Sequence, residues 1–113
     1  FLSIPSAIHF IESNNWKDNH KLSKELILET SDDLKNLFGT DPLFKSEDWV
    51  GQMVSHPLPL NAPENLKEIL WEKFLIEVPV FEWKKQKYIR VSAHFYNGKN
   101  DMKTLINALK IIF

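Results

Sequence analysis

Cysteine is absent from the 113 residues. That removes disulfides, zinc–thiolate centres, iron–sulfur clusters and thiol nucleophiles together, and it fits a reducing, cytoplasmic compartment. Glycine is scarce, with three residues at positions 39, 51 and 98, too scattered for a phosphate-cradling loop. No Gly-x-Ser-x-Gly elbow occurs. Long hydrophobic runs are missing as well. The longest stretch without a formal charge covers residues 49–63, 15 positions that include three prolines, whereas a membrane-spanning helix needs about 20 apolar residues. Positive charge has no excess, with 14 basic against 15 acidic residues and a net charge of −1. A general nucleic-acid binder, which must neutralise a phosphate backbone, is therefore not expected. No basic-then-apolar leader is visible. The first residue is Phe1, as expected of a processed product or a piece of something longer.

What is present is an ordinary globular balance. Apolar residues make up 43% and charged residues 26%, enough for one domain with its own core. Within that balance the cations are lopsided: thirteen lysines and a single arginine, Arg90. A composition that uses lysine wherever a generic positive charge serves marks the surviving arginine as a candidate for a task lysine cannot do. Two-pronged recognition of a carboxylate or phosphate is such a task. Chance is the alternative.

The apolar spacing of Ile4, Ala7, Ile8 and Ile11 predicts a helix over 4–14, with Pro5 in its first turn. A second helix is expected over 16–38, capped by Asn15 with Asp18 three residues on. Its stripe is Leu22, Leu26, Leu34, Leu37 and Phe38, and Gly39 stops it. Residues 40–48 read as a loop, 49–54 as a strand with Gly51 marking a bulge or close approach, and 56–61 as irregular chain around Pro57 and Pro59. Asn61, Pro63 and Glu64 predict the start of a third helix that buries Leu66, Ile69, Leu70 and Phe74. Residues 76–83 are β-rich, 84–87 a polar turn, and 88–95 the clearest strand. There Ile89, Val91, Ala93 and Phe95 alternate with Tyr88, Arg90, Ser92 and His94. A last helix follows Asn97-Gly98, with Asp101 in its first turn and Met102, Leu105, Ile106, Leu109, Ile112 and Phe113 as its apolar face. The order α-α-β-α-β-β-α predicts an α+β fold, a small antiparallel or mixed sheet of about three strands covered by four helices.

The outward row Tyr88, Arg90, Ser92, His94 offers hydrogen-bonding groups suited to a ligand or a second domain. The alternative is a polar outer face with Arg90 in a surface ion pair of little worth. His94 stands two pleats from Arg90, roughly 13 Å along a strand, as a supporting group at best. His9 and Glu12 are three apart on one helix and could share a metal, but no second pair completes a site, so a solvated face is favoured. His20 reads as a surface residue, and His56 as marking a loop near a cleft. The lysines fall on polar faces and in turns, where water keeps the amine protonated. No complete catalytic apparatus is present, and no metal site.

The string Tyr88-Ile89-Arg90-Val91-Ser92-Ala93-His94-Phe95-Tyr96-Asn97, followed by an amphipathic helix, resembles the closing segment of class V aminotransferase-type enzymes, which depend on pyridoxal phosphate. The segment from Ser6 to Glu12 with Trp16, the Gly51-Gln52-Met53 run and the Val78-Pro79-Val80 run are similar to the isopenicillin N epimerase-like branch, with cysteine desulfurases as relatives. Gly98 departs from the Thr or Ser usual after Tyr-Asn. The resemblance covers nearly the whole chain. It implies the C-terminal small domain of a larger enzyme acting on an amino acid, with Arg90 holding the substrate's α-carboxylate. It further implies pyridoxal 5′-phosphate bound mainly by a large domain of the same polypeptide, a homodimer at full length, and no activity in this segment alone. Epimerisation, transamination and desulfuration all stay open. Two other readings remain: a free-standing ferredoxin-like module that binds or regulates through a small ligand, and an RNA-binding sheet stacking bases on Tyr88, Phe95 and Tyr96.

Overall fold

The computed structural model describes all 113 residues, Phe1–Phe113. Eight elements follow one another: α1 (Ile4–Ser13), α2 (Trp16–Phe38), a short 3-10 turn (Glu47–Trp49), β1 (Met53–Pro57), α3 (Leu66–Phe74), β2 (Val80–Trp83), β3 (Gln86–Ser92) and α4 (Lys99–Ile112). The α+β class and the element order match the sequence expectation. The sheet is antiparallel throughout, in the order β1-β3-β2. β3 is thus the central strand, with Val54 opposite Val91, His56 opposite Ile89, and Val80 opposite Ile89 on its other side.

These opposed pairs define the covered face. Val54, His56, Leu58, Ile89, Val91 and Ala93 are buried there, under Ile27 and Leu34 of α2, Leu66 and Leu70 of α3, and Met102, Leu105, Ile106 and Leu109 of α4. α4 buries the stripe that its 3.6-residue period defines. Its first turn is closed by the Asp101 carboxylate accepting from the Gly98 amide at 2.9 Å. Gly98 has no side chain to accept from the first-turn amides, and the Asp101 amide instead donates to the Gly98 carbonyl at 3.1 Å.

Several local expectations are corrected. The buried stripe of α2 is Ser23, Ile27, Thr30, Ser31, Leu34 and Phe38, and Leu22 faces solvent. Two of the three hydroxyls in this seam have partners: Thr30 Oγ1 donates to the Leu26 carbonyl at 2.7 Å, and Ser31 Oγ meets His56 Nε2 at 2.8 Å. Asn15 does not cap α2 with its side chain. Its own backbone is left-handed (φ 49°), which lets α2 start directly after α1. The strand expected over 49–54 instead runs Met53–Pro57. Gly51 precedes it, and a Cβ there would meet nothing within 4 Å, so no close approach exists. Pro57 is tolerated because β1 is an edge strand. α3 begins at Leu66 rather than after Asn61, because residues 59–66 wind through successive turns, Ala62 to Pro59 and Leu66 to Pro63. Glu64 is spent on an ion pair with Lys87 at 2.6 Å.

The β2–β3 hairpin turns on Lys84 and Lys85, both at positive φ (51° and 64°). That is the handedness a two-residue hairpin needs, reached here without glycine. No helix is long and apolar enough to cross a membrane.

Candidate functional site around Arg90

Arg90 lies near the centre of β3, on the face opposite the core. Four ion pairs occur in the molecule, Lys21–Glu25, Lys35–Asp41, Lys87–Glu64 and Lys99–Glu29, and every cation in them is a lysine. Arg90 takes part in none, and its side chain makes no hydrogen bond within the chain. The surface ion pair that would have made it an ordinary outer residue does not form.

What surrounds Arg90 is a cleft of about 180 Å³ at the end of the sheet. β2 starts only at Val80, so past the Arg90 amide, which donates to the Pro79 carbonyl at 3.0 Å, β3 has no neighbour on that side. The strap of residues 76–79 swings away and leaves an opening toward the N-terminus of α4. Leu75 turns the strap: it closes α3 in a left-handed conformation (φ 56°), and the Ile76 amide returns to the Leu70 carbonyl at 3.0 Å. The floor is apolar, from Val91, Met102 and Leu105. The rim is polar, from Arg90, Ser92, Asn97, Glu77 and Asp101. Asn97 fixes the turn between β3 and α4 by accepting from the His94 amide at 2.9 Å through Oδ1. The volume falls short of a drug-sized pocket and suits the end of a small molecule. A free guanidinium above an apolar floor can take a carboxylate, while the N-terminus of α4 is already met by the Asp101 carboxylate.

The remaining sequence candidates lie elsewhere. His94 does not support Arg90. β3 ends at Ser92, and His94 turns into an aromatic group with Trp16 (6.4 Å), Phe95 (4.9 Å) and Tyr96 (5.1 Å). Phe95, expected to point inward, is 42% exposed, because the turn that Asn97 closes interrupts the alternation. Tyr88 shares the Arg90 face, but Phe81 stacks on it at 5.6 Å and Trp83 leans against it at 6.2 Å. It is buried and unavailable to stack on a base, whereas Phe95 and Tyr96 remain exposed. His9 meets only Ser13 Oγ at 3.4 Å, and no group of three His, Asp or Glu forms around it.

His56 is not at a loop or cleft. It is fully buried in β1, Nε2 on Ser31 and Nδ1 without a partner. Burial drives its pKa down to about 4, only partly opposed by Asp41 and Asp32, while Lys35 adds to the lowering. The hydrogen bond and charge of Lys35 hold Asp41 below the usual carboxylate range, and the same pair holds Lys35 above its ordinary value. The carboxylates Glu77 and Asp101 on the cleft rim were not singled out as site residues from sequence, since only the strap's departure from β3 brings Glu77 close.

The residues of this chain do not fit pyridoxal phosphate. No lysine lines the Arg90 cleft. None of the three glycines closes on another group as a phosphate cradle would. The one lysine with a resolved shift is pushed up by Asp41, opposite to what a Schiff-base amine needs.

No protein-family profile matches the chain. Over 112 residues, 97% of its length, it is 31% identical to isopenicillin N epimerase of Amycolatopsis lactamdurans. The matched stretch is 28% of that enzyme. The resemblance to the epimerase-like branch holds along essentially the whole chain, which spans little more than a quarter of the length of this curated relative.

Proposed function

We propose that this chain, homologous over nearly its full length to part of an epimerase, is the C-terminal small domain of a pyridoxal-phosphate-dependent enzyme acting on an amino acid. Arg90 holds the substrate's α-carboxylate. The observation that carries this is the state of Arg90: the only arginine, free of any intramolecular partner, on the rim of a small cleft with an apolar floor. A guanidinium fork engages both carboxylate oxygens at once and stays charged at any working pH. Each such charged hydrogen bond contributes about 1.5–3 kcal/mol when shielded from water. Ser92 and Asn97 stand on the same rim to take further polar atoms of the ligand.

The cofactor, when bound, stabilises negative charge at the substrate's Cα. Since no residue set here fits it, the groups that hold it belong to the rest of the polypeptide. This chain binds and orients, and by itself it turns over nothing.

In the intact polypeptide, Arg90→Lys should keep cofactor absorbance and weaken amino-acid binding by about 10-fold or more, since an ammonium cannot reproduce the two-pronged grip. Unchanged amino-acid affinity in that variant removes Arg90 from the substrate site.

A further inference from the structure

A second exposed apolar surface lies away from the Arg90 cleft, on α1. None of the ten residues of α1 is buried, and Ile4, Ile8, Phe10 and Ile11 are each 41–51% exposed. This apolar side continues into the core's rim, Phe10 meeting Phe95 at 5.6 Å. Between α1, the start of α2 and the turn after β3 lies a hollow of about 340 Å³, walled chiefly by Ala7, Phe10, Ile11, Trp16 and Phe95. Asn14, Asn19, Gln52 and His94 supply its few polar atoms, and no charged side chain lines it. The Nδ1 atom of His94 is buried and has no hydrogen-bond partner. Contiguous exposed apolar surface of this kind marks an interaction site.

We propose that α1, Trp16 and Phe95 form the seat for a segment of the same polypeptide lying outside these 113 residues. The proposal rests on the reading above, that the chain is one part of a longer enzyme. Two observations select this occupant. The matched stretch is 28% of the relative, so most of such an enzyme lies outside the matched region and has to be packed against it. The hollow is uncharged and walled by aromatic and branched side chains, the surface of an intramolecular interface rather than of a site for an acid or a nucleic acid. The seat also bears on Arg90. His94 walls the hollow and Asn97 rims the Arg90 cleft, and the His94 amide to Asn97 Oδ1 bond ties them together. A segment seated on Phe95 and Trp16 would fix the turn that shapes one edge of the cleft.

The test is hydrogen–deuterium exchange on the intact polypeptide, wild type beside Phe10→Asp, with Leu60→Asp as a control at a fully exposed loop position. The α1 amides should exchange on the order of 100-fold more slowly in the wild type than in Phe10→Asp, and Leu60→Asp should leave them unchanged. Should Phe10→Asp fail to fold, Ile8→Ser should give a smaller change of the same sign. Wild-type α1 amides exchanging at unprotected rates would overturn the seat. So would protection that fades on dilution, because the occupant would then be a second copy of the chain. An intact protein with unprotected α1 that nevertheless loses amino-acid binding in Arg90→Ala overturns the seat alone. Protected α1 with unchanged binding in Arg90→Ala supports the seat and overturns the role given to Arg90.

Discussion

α1 and α4 are both amphipathic helices with an apolar stripe at helical spacing, yet they fare oppositely. α4 buries Met102, Leu105, Ile106, Ala108 and Leu109 against the sheet and α2. α1 buries nothing. The periodicity that predicts both is the same, because it reports that a helix has an apolar face and is silent on whether the surface that covers it belongs to the same stretch of chain. The two faces of the sheet repeat the contrast. One carries Ile89, Val91 and Val54 under helices. The other carries Arg90 and Ser92, with Met53 and Trp83 half exposed and no helix over them. An antiparallel sheet commonly leaves one face to water, so the helix that buries none of its residues is the more unusual of the two.

The contrast can be broken most forcefully inside the core. Leu109→Ala in α4, at a fully buried position, should cost about 3–5 kcal/mol in urea unfolding of the chain. Ile8→Ala in α1, half exposed, should cost under about 0.5 kcal/mol in the same assay. Comparable losses would mean that α1 is already part of the core.

Next in size is the buried histidine. His56 titrates at about 4 when folded, below its ordinary value of 6.5, so the folded state binds its proton less readily than the unfolded state. Its contribution is therefore full above pH 6.5, is lost as pH falls toward about 4, and is flat below that. The loss is about 3 kcal/mol across the window. Stability measured against pH in wild type and His56→Gln checks this, the variant showing a flatter profile between pH 6.5 and 4. Ser31→Ala, which removes the partner of a buried imidazole nitrogen, should cost about 1–3 kcal/mol at neutral pH by thermal unfolding.

The smallest expected effect is at the surface. Replacing Glu64 of the Lys87–Glu64 pair by Gln should change stability by no more than about 1 kcal/mol, and less at high salt, because that carboxylate is 93% exposed. A larger, salt-independent loss would show the pair to be structural.

Much of this architecture was legible from residue order. The α+β class, the sequence of elements, the alternation about Ile89 and Val91, and the left-handed stop at Gly39 follow from periodicity and from glycine's freedom at φ 66°. Arg90 was found by counting. Its freedom from ion pairs was not, because that depends on where Glu77 and Asp101 come to rest in three dimensions. The rotated face of α2 is hidden by polarity: Thr30 and Ser31 carry no apolar signal, and their burial is explained only by the Leu26 carbonyl and His56. His56 carried a signal, the inward parity Val54–His56–Leu58, which Pro57 and Pro59 masked because prolines argue against a strand everywhere but at an edge.

The central claim is that Arg90 grips a carboxylate. A double-mutant cycle on the intact polypeptide tests it most directly: binding of an amino acid and of its primary amide, each to wild type and to Arg90→Ala. A carboxylate held by that guanidinium predicts a coupling of about 1.5–3 kcal/mol between the two changes. If the amide loses the same affinity in both proteins, so that the coupling is zero, Arg90 does not hold the carboxylate.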